Sequence, residues 1–206
     1  EYELSCYRVL DRLWDDKEVY LVRHVETGKL FIKKQIDLYN QRVYEHLSRL
    51  DISGVPKIYL CVEQEKKLVV IEEYIHGETL EEYLEKKEIM GEDEAVSMII
   101  QLCRILKQLH RCRSPIIHRD LKPANIMISS DGVVKLIDFN AAKEYRMGQM
   151  EDTCLMGTRE YAAPEQYGFG QSDARTDIYA LGVILNRLLT GDFPKNKLYE
   201  GRLKPV

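Results

Sequence analysis

Short apolar runs broken by polar turns fill the first third of the chain, and longer apolar stripes at helical spacing follow. Val19, Tyr20, Leu21 and Val22 are strong β-formers. The stretch 29–34 repeats that texture after the turn signal Glu26-Thr27-Gly28, so the two predict a hairpin. Over 38–50, Leu38, Val43, Leu47 and Leu50 fall on roughly one face, which predicts a helix ended by Gly54-Val55-Pro56. Two further strands fit 58–63 and 68–74, joined by the polar turn at 64–67. Beyond Gly77 the texture turns helical. Thr79 and Glu82 have the spacing of a capping box. Ala95, Ile99, Leu102, Leu106 and Leu109 form the stripe of a helix over 92–111, and the three acids at its start suit the positive end of its dipole. Short strands are predicted at 126–128 and 133–137, a loop over 143–175, and a buried helix, apolar almost all round, over 177–189.

Composition narrows the picture. The chain has 206 residues, 45% hydrophobic and 31% charged, which suits one sizeable domain or two small lobes with a real core. A net charge of −4 argues against a nucleic-acid-coating protein, though not against binding a nucleotide. No apolar run reaches the length of a transmembrane helix. Glu1 stands where a Met would begin a chain and no charged-then-apolar leader follows, so no targeting segment is expected. Cys6, Cys61, Cys103, Cys112 and Cys154 are odd in number and lack CxxC spacing, which favours reduced structural thiols in a cytoplasmic setting over zinc or disulfides.

The chemistry concentrates in 116–140. His118-Arg119-Asp120-Leu121-Lys122-Pro123-Ala124-Asn125 resembles the catalytic loop of protein kinases, and Ile137-Asp138-Phe139-Asn140 resembles their metal-binding segment. Gly157-Thr158-Arg159-Glu160-Tyr161-Ala162-Ala163-Pro164-Glu165 is similar to the end of their activation segment, and the run from Asp177 to Gly182 to the start of the buried helix beneath it. Each residue alone reads as a turn or cap residue, but the four motifs stand together in the family's order. Phosphoryl transfer needs a carboxylate to take the proton of the attacking hydroxyl, oxygen ligands for magnesium and a cation near the phosphates. The resemblance implies that Asp120 is that base, that Lys122 reaches the transferred phosphate, and that Asn125 and Asp138 bind Mg²⁺. Arg119 implies a grip on a phosphorylated activation segment, with Thr153 the best acceptor and an ordinary loop residue its equal alternative. Thr158 is expected to hydrogen-bond near Asp120 and Lys122.

In the same alignment Lys34 is the phosphate-anchoring lysine of ATP, with Lys33 aimed at the other strand face. Val19 and Ile32 roof the adenine, Met127 floors it, and the backbone of Glu73 and Ile75 serves as the hinge. Four departures from the family stand out. No glycine lies between Leu13 and Val19, where Trp14, Asp15, Asp16, Lys17 and Glu18 replace a glycine-rich loop. Val43 occupies the place of a helix Glu that pairs with the strand lysine, with Glu45 nearby but about 200° around the helix. Asn140 replaces a glycine, tolerable if positive φ is required there. The chain ends at Val206, so the Arg that pairs with the residue at Glu165 in the family is absent and the helical lobe is expected to be truncated. Glu72 sits just before the hinge, where a buried carboxylate is costly unless paired. It either contacts Lys34, the preferred reading, or faces a polar gap with water.

The resemblance covers about residues 7–206 and implies an α+β, two-lobe kinase-like fold: a small antiparallel-sheet lobe over 1–74 and a mostly helical lobe over 75–206. The run at 161–166 resembles bacterial kinases of the eukaryotic type. The implied activity is transfer of the γ-phosphate of ATP, with Mg²⁺, to Ser or Thr of a protein substrate. The alternative is a pseudokinase that binds nucleotide or acts as a scaffold. A small-molecule phosphotransferase is disfavoured by 157–165. The implied location is cytoplasmic, alone or as the cytoplasmic part of a larger protein.

Overall fold

Short runs rich in β-branched and aromatic residues build the first lobe. The computed structural model describes residues 2–15, 17–146, 156–168 and 170–194. After a single helical turn α1 (Tyr2–Ser5), five strands form an antiparallel sheet: β1 (Tyr7–Arg12), β2 (Val19–His24), β3 (Leu30–Ile36), β4 (Ile58–Gln64) and β5 (Lys67–Glu73), in the order β1-β2-β3-β5-β4. The predicted hairpin is β2–β3, with Val19 opposite Lys34. Strand β1 escapes the sequence pattern because it is an outer strand with five exposed residues of six, so no alternation marks it. Helix α2 (Gln41–Arg49) packs Val43, Tyr44 and Leu47 inward. It starts three residues later than predicted, at the Asn40 cap, which leaves Leu38 ahead of the helix and 61% exposed rather than on its buried face.

A short strand β6 (Gly77–Thr79) leads into α3 (Leu80–Lys86). The capping box forms: Thr79 accepts from the Glu82 amide at 3.1 Å, and Glu82 accepts from the Thr79 amide at 2.7 Å. Helix α4 (Glu92–His110) buries Ala95, Met98, Leu102, Ile105, Leu106 and Leu109. Strand β7 (Ile116–Ile117) follows, then a 3₁₀ turn over Pro123–Asn125, β8 (Ile126–Ser129) and β9 (Val134–Leu136). Strands β6, β8 and β9 form a small sheet. The stretch predicted as loop contains β10 (Lys143–Glu144), paired with β7, and a 3₁₀ turn over Pro164–Tyr167. Helix α5 (Ala174–Thr190) begins before Asp177 because Asp173 caps it, accepting from the Arg175 amide. It is buried on one side only: Ile178 is 53% and Leu189 39% exposed. One apolar core runs from Val43, Tyr44 and Leu47 on α2 through α4 to Leu181, Ile184 and Leu188 on α5. A smaller cluster of Val22, Phe31 and Ile71 lies on the other sheet face. This is the sheet-then-helices, two-lobe architecture expected from the sequence.

Candidate active site

Asp177, buried at the start of α5, organises the catalytic loop. Its carboxylate accepts from the backbone amides of His118 at 3.0 Å and Arg119 at 2.9 Å, and lies 2.7 Å from His110 Nε2. These contacts hold Arg119 in the left-handed region at φ 70°, a conformation that surrounding structure must over-determine. His118 reaches the carbonyl of Ile137 and packs edge-on against Phe139, which ties the two motifs together. The Ile137 amide also donates to the Asn125 carbonyl at 2.9 Å, so Asp138 emerges beside Asn125.

Asp120 is surrounded by donors. Thr158 donates its hydroxyl to Asp120 Oδ1 at 2.7 Å. Lys122 Nζ lies 3.0 Å from Oδ2 and donates to Thr158 Oγ1 at 2.8 Å. The Asn125 side-chain amide donates to the Asp120 carbonyl at 2.8 Å and to Oδ2 at 3.0 Å. Burial pushes the Asp120 carboxyl up, but the Thr158 hydroxyl and the Lys122 ammonium outweigh it and hold the carboxyl below its ordinary value. Because the Asn125 nitrogen is spent on Asp120, its oxygen is the atom left to face a cation. Asn125 and Asp138 line one cavity of about 270 Å³ with Lys34, Val19, Ile137 and Thr79. A neutral amide oxygen and a carboxylate are the hard donors that suit Mg²⁺, so the residues present fit that ion.

The opposite wall is built around Lys34. Lys34 Nζ meets Glu72 Oε1 at 2.6 Å; both residues are under a tenth exposed. Burial lowers the affinity of the Lys34 amine for its proton, but the charges of Glu72 and Asp138 reverse the balance and raise its pKa. Val43 is fully buried, and Glu45 is exposed and accepts from Gln41 instead, so Glu45 is no partner for Lys34. Lys33 pairs across to Ile71 and Tyr20, on the alternate face from Lys34. In the connection after β1, Trp14 and Lys17 border the 270 Å³ cavity, and Lys17 also borders a neighbouring one of about 400 Å³ with Lys34 and Asp138. Ile32, Met127, Glu73 and Ile75 line neither cavity. Ile32 is half-buried opposite Glu72, Met127 is half-buried opposite Thr79, and Ile75 is buried. The Glu73 side chain is occupied by Lys135 Nζ at 2.9 Å and the Lys57 amide at 3.2 Å.

Positive φ falls on Asp138, at 63°, and not on Asn140. Tolerance of that conformation is therefore not what admits Asn140. Its side chain instead accepts from the Tyr44 hydroxyl at 2.6 Å. That contact links residues 96 positions apart, and no sequence pattern announces it. Gln166 is likewise without a signal in the sequence pattern. Buried, it donates to the carbonyls of Arg119 and Met156, each at 2.6 Å, and so ties the 163–167 turn to the catalytic loop. Gly157 makes room for it: at φ 133° a Cβ there would come within 2.5 Å of the Gln166 amide nitrogen. Glu165 accepts from Thr176 at 2.6 Å, so one of its oxygens has a partner within the described residues without an arginine. Arg119, Lys143, Arg42 and Arg146 border a cavity of about 700 Å³ between α2 and the segment that follows Asp138. Thr153 lies outside the described residues.

The protein kinase domain, as a family, matches residues 17–202. A stretch of 149 residues, 72% of this chain, is 36% identical to the probable serine/threonine-protein kinase PknB of Lactococcus lactis and covers 23% of that protein. A stretch of 155 residues, 75% of this chain, is 33% identical to the serine/threonine-protein kinase PrkC of Bacillus subtilis and covers 24% of it. A probable serine/threonine-protein kinase of Clostridium perfringens is 38% identical over 128 residues, 62% of this chain and 18% of that protein. The matched stretches thus span under a quarter of the length of these relatives. Among the described residues no helix is long and apolar enough to cross a membrane.

Proposed function

The chain belongs to the protein kinase family, and on that premise we propose that it transfers the γ-phosphate of ATP to Ser or Thr hydroxyls of proteins. The observation that carries the reading is the hydrogen-bonded cluster of Asp120, Lys122, Asn125 and Thr158, which adjoins through Asn125 the cavity that Lys34 and Asp138 also line. In it, Asp120 accepts the proton of the attacking hydroxyl. Its lowered pKa keeps it ionised for that task. Lys122 meets the charge of the transferred group, and Thr158 keeps Asp120 and Lys122 in register until a substrate hydroxyl arrives. Lys34 grips the nucleotide phosphates. Asn125 and Asp138 would hold Mg²⁺, which when bound neutralises phosphate charge. Val19 and Ile32 cover the adenine, Met127 lies beneath it, and the backbone of Glu73 and Ile75 pairs with its edge. Residues 1–74 act as the small lobe and 75–206 as the large one. Arg119 receives a phosphate on the activation segment, with Thr153 the proposed acceptor. The domain works in the cytoplasm, as part of a longer protein where its relatives are the guide.

The glycine-free connection at 13–18 favours a second reading, a pseudokinase that binds nucleotide without useful turnover. A radiolabelled-ATP transfer assay on the full-length protein, with Asp120→Asn as control, separates the two. Label on Ser or Thr from the unaltered protein and none from the control supports the kinase. Nucleotide binding without transfer supports the alternative.

A further inference from the structure

Two departures from the family meet in space. Tyr44 on α2 is 2% exposed, and its hydroxyl donates to Asn140 Oδ1 at 2.6 Å. The backbone N–H of Asn140 in turn donates to Asp138 Oδ1 at 3.3 Å, while Asp138 itself sits at φ 63°, a conformation that needs support from its neighbours. Burial, then the nearby charges of Asp138 and Glu72, raise the Tyr44 pKa well above its ordinary value, so the phenol stays a donor. Lys34, meanwhile, is held by Glu72 from the adjoining strand of its own sheet. Helix α2 carries the apolar, fully buried Val43 at the position that the alignment gives to a pairing carboxylate. The polar tie of the helix to the cleft therefore runs to the Asp138 segment and not to Lys34.

We propose that Tyr44 and Asn140 are a positioning pair that sets the Asp138 carboxylate for the divalent cation of a metal–nucleotide complex, while Glu72 positions Lys34 for the phosphates independently of α2. The proposal rests on the reading of the cleft as a nucleotide site. Its consequence is a division of labour. The sheet controls the grip on the nucleotide with or without metal. The helix controls only the part of the affinity that the metal adds. A displacement of α2 would then be felt as weakened metal binding.

Calorimetric titration of the full chain with ATP, with and without Mg²⁺, tests this on Tyr44→Phe, Asn140→Ala, the double variant and Glu72→Gln. Loss of one neutral hydrogen bond should lower the Mg²⁺-dependent gain in ATP affinity about three- to tenfold in each single variant. The double variant should lose no more than the larger single loss, because both remove one contact. ATP binding without Mg²⁺ should be unchanged in these three and weakened in Glu72→Gln. Additive losses, equal losses with and without Mg²⁺, or no loss would overturn the pair. If Tyr44→Phe melts early, Asn140→Ala carries the test, since it deletes the acceptor and leaves the buried ring in place. An unaltered protein whose ATP affinity Mg²⁺ does not raise would overturn the pair as well. The transfer assay is a separate readout: absent transfer with a Mg²⁺-dependent, non-additive binding result sinks the kinase reading and leaves the positioning pair standing.

Discussion

On the helical wall of the cleft both oxygens of the Asp120 carboxylate have protein donors, whereas on the sheet wall Lys34 leans on Glu72 and the loop above it has no glycine. The first arrangement is built from neighbours in sequence. Asp120, Lys122 and Asn125 lie within six positions, and only Thr158 comes from afar. The second is built from distant residues: Lys34 and Glu72 are partners across β3 and β5, and Tyr44 and Asn140 across two lobes. The donors on Asp120 are mostly local, although the loop that carries them is itself held by Asp177 and Gln166 from further along the chain. A wall made of distant contacts depends on the sheet and α2 being docked. The difference predicts which substitutions stop chemistry and which stop binding or folding.

The largest effect should come from the helical wall. On the proposed role of Asp120 as the base acting on the protein hydroxyl and not the purine, Asp120→Asn should slow transfer about a hundredfold or more while ATP binding stays nearly intact. Single-turnover transfer and calorimetry on one preparation check this. An equal loss of nucleotide affinity would mean that the two walls are not separate.

On the sheet wall the expected effect is first on stability. Glu72→Ala leaves the Lys34 ammonium buried without its carboxylate and should cost about 3 kcal/mol or more. Replacing both, as in Lys34→Met with Glu72→Leu, should restore most of that stability, since apolar residues of similar volume avoid desolvating two charges. That double variant should still fail to transfer phosphate. Denaturant titration of the three proteins checks it. A double variant as unstable as Glu72→Ala would show that the pair's value lies in packing and not in charge.

What could be read in advance divides along the same line. The hairpin β2–β3, the capping box at Thr79 and the run His118 to Asn125 depend on residues within a few positions of each other, and the amino-acid pattern displays them. Strand β1 depends on its neighbour for its hydrogen bonds and offers the pattern nothing. The start of α2 is set by where Asn40 breaks the chain, not by Leu38. The reason Asn140 is admitted could not be read at all. The visible argument was backbone φ, while the operating one is a tyrosine on another element. Gln166 shows the same limit: its targets, the carbonyls of Arg119 and Met156, carry no side-chain signature. The Lys34–Glu72 contact was legible because an acid just before the hinge is costly alone and a lysine on the paired strand is the nearest remedy.

A moderate effect should appear in the loop. Without glycine, 13–18 has no ready means of folding its amides onto phosphates, and what it brings to the cavities is the Lys17 ammonium, the Trp14 ring and the Glu18 carboxylate, the last paired with Lys67. Without Mg²⁺, ATP should bind only about tenfold more tightly than adenosine, a gap of one charge-assisted contact. Lys17→Ala should narrow that gap only about twofold, the rest being held by Lys34, and leave adenosine unchanged. Tight, phosphate-dependent binding that survives Lys17→Ala would mean that the loop rearranges around the nucleotide.

The smallest effect expected is none, and it bears on the helical wall alone. The Asp120 carboxyl is held below its ordinary value of 3.8, so it is already ionised in any buffer above that pH. The sign follows from linkage: a depressed carboxyl stabilises the fold above its unfolded value, and the contribution is lost only as pH falls through the folded value. From about pH 5 to 8, then, neither the transfer rate nor the unfolding free energy should vary through this group. Thr158→Ala removes the hydroxyl that lowers the pKa and lets burial, which acts in the opposite direction, count for more. In that variant the acid limb of the pH–rate profile should move upward, toward the measured range, while Lys122 still opposes a full return. A rate profile in the unaltered protein that already falls between about pH 6 and 5, and falls identically in Thr158→Ala, would place the titrating group elsewhere and remove the tight donor cage around Asp120 as the feature that distinguishes the two walls.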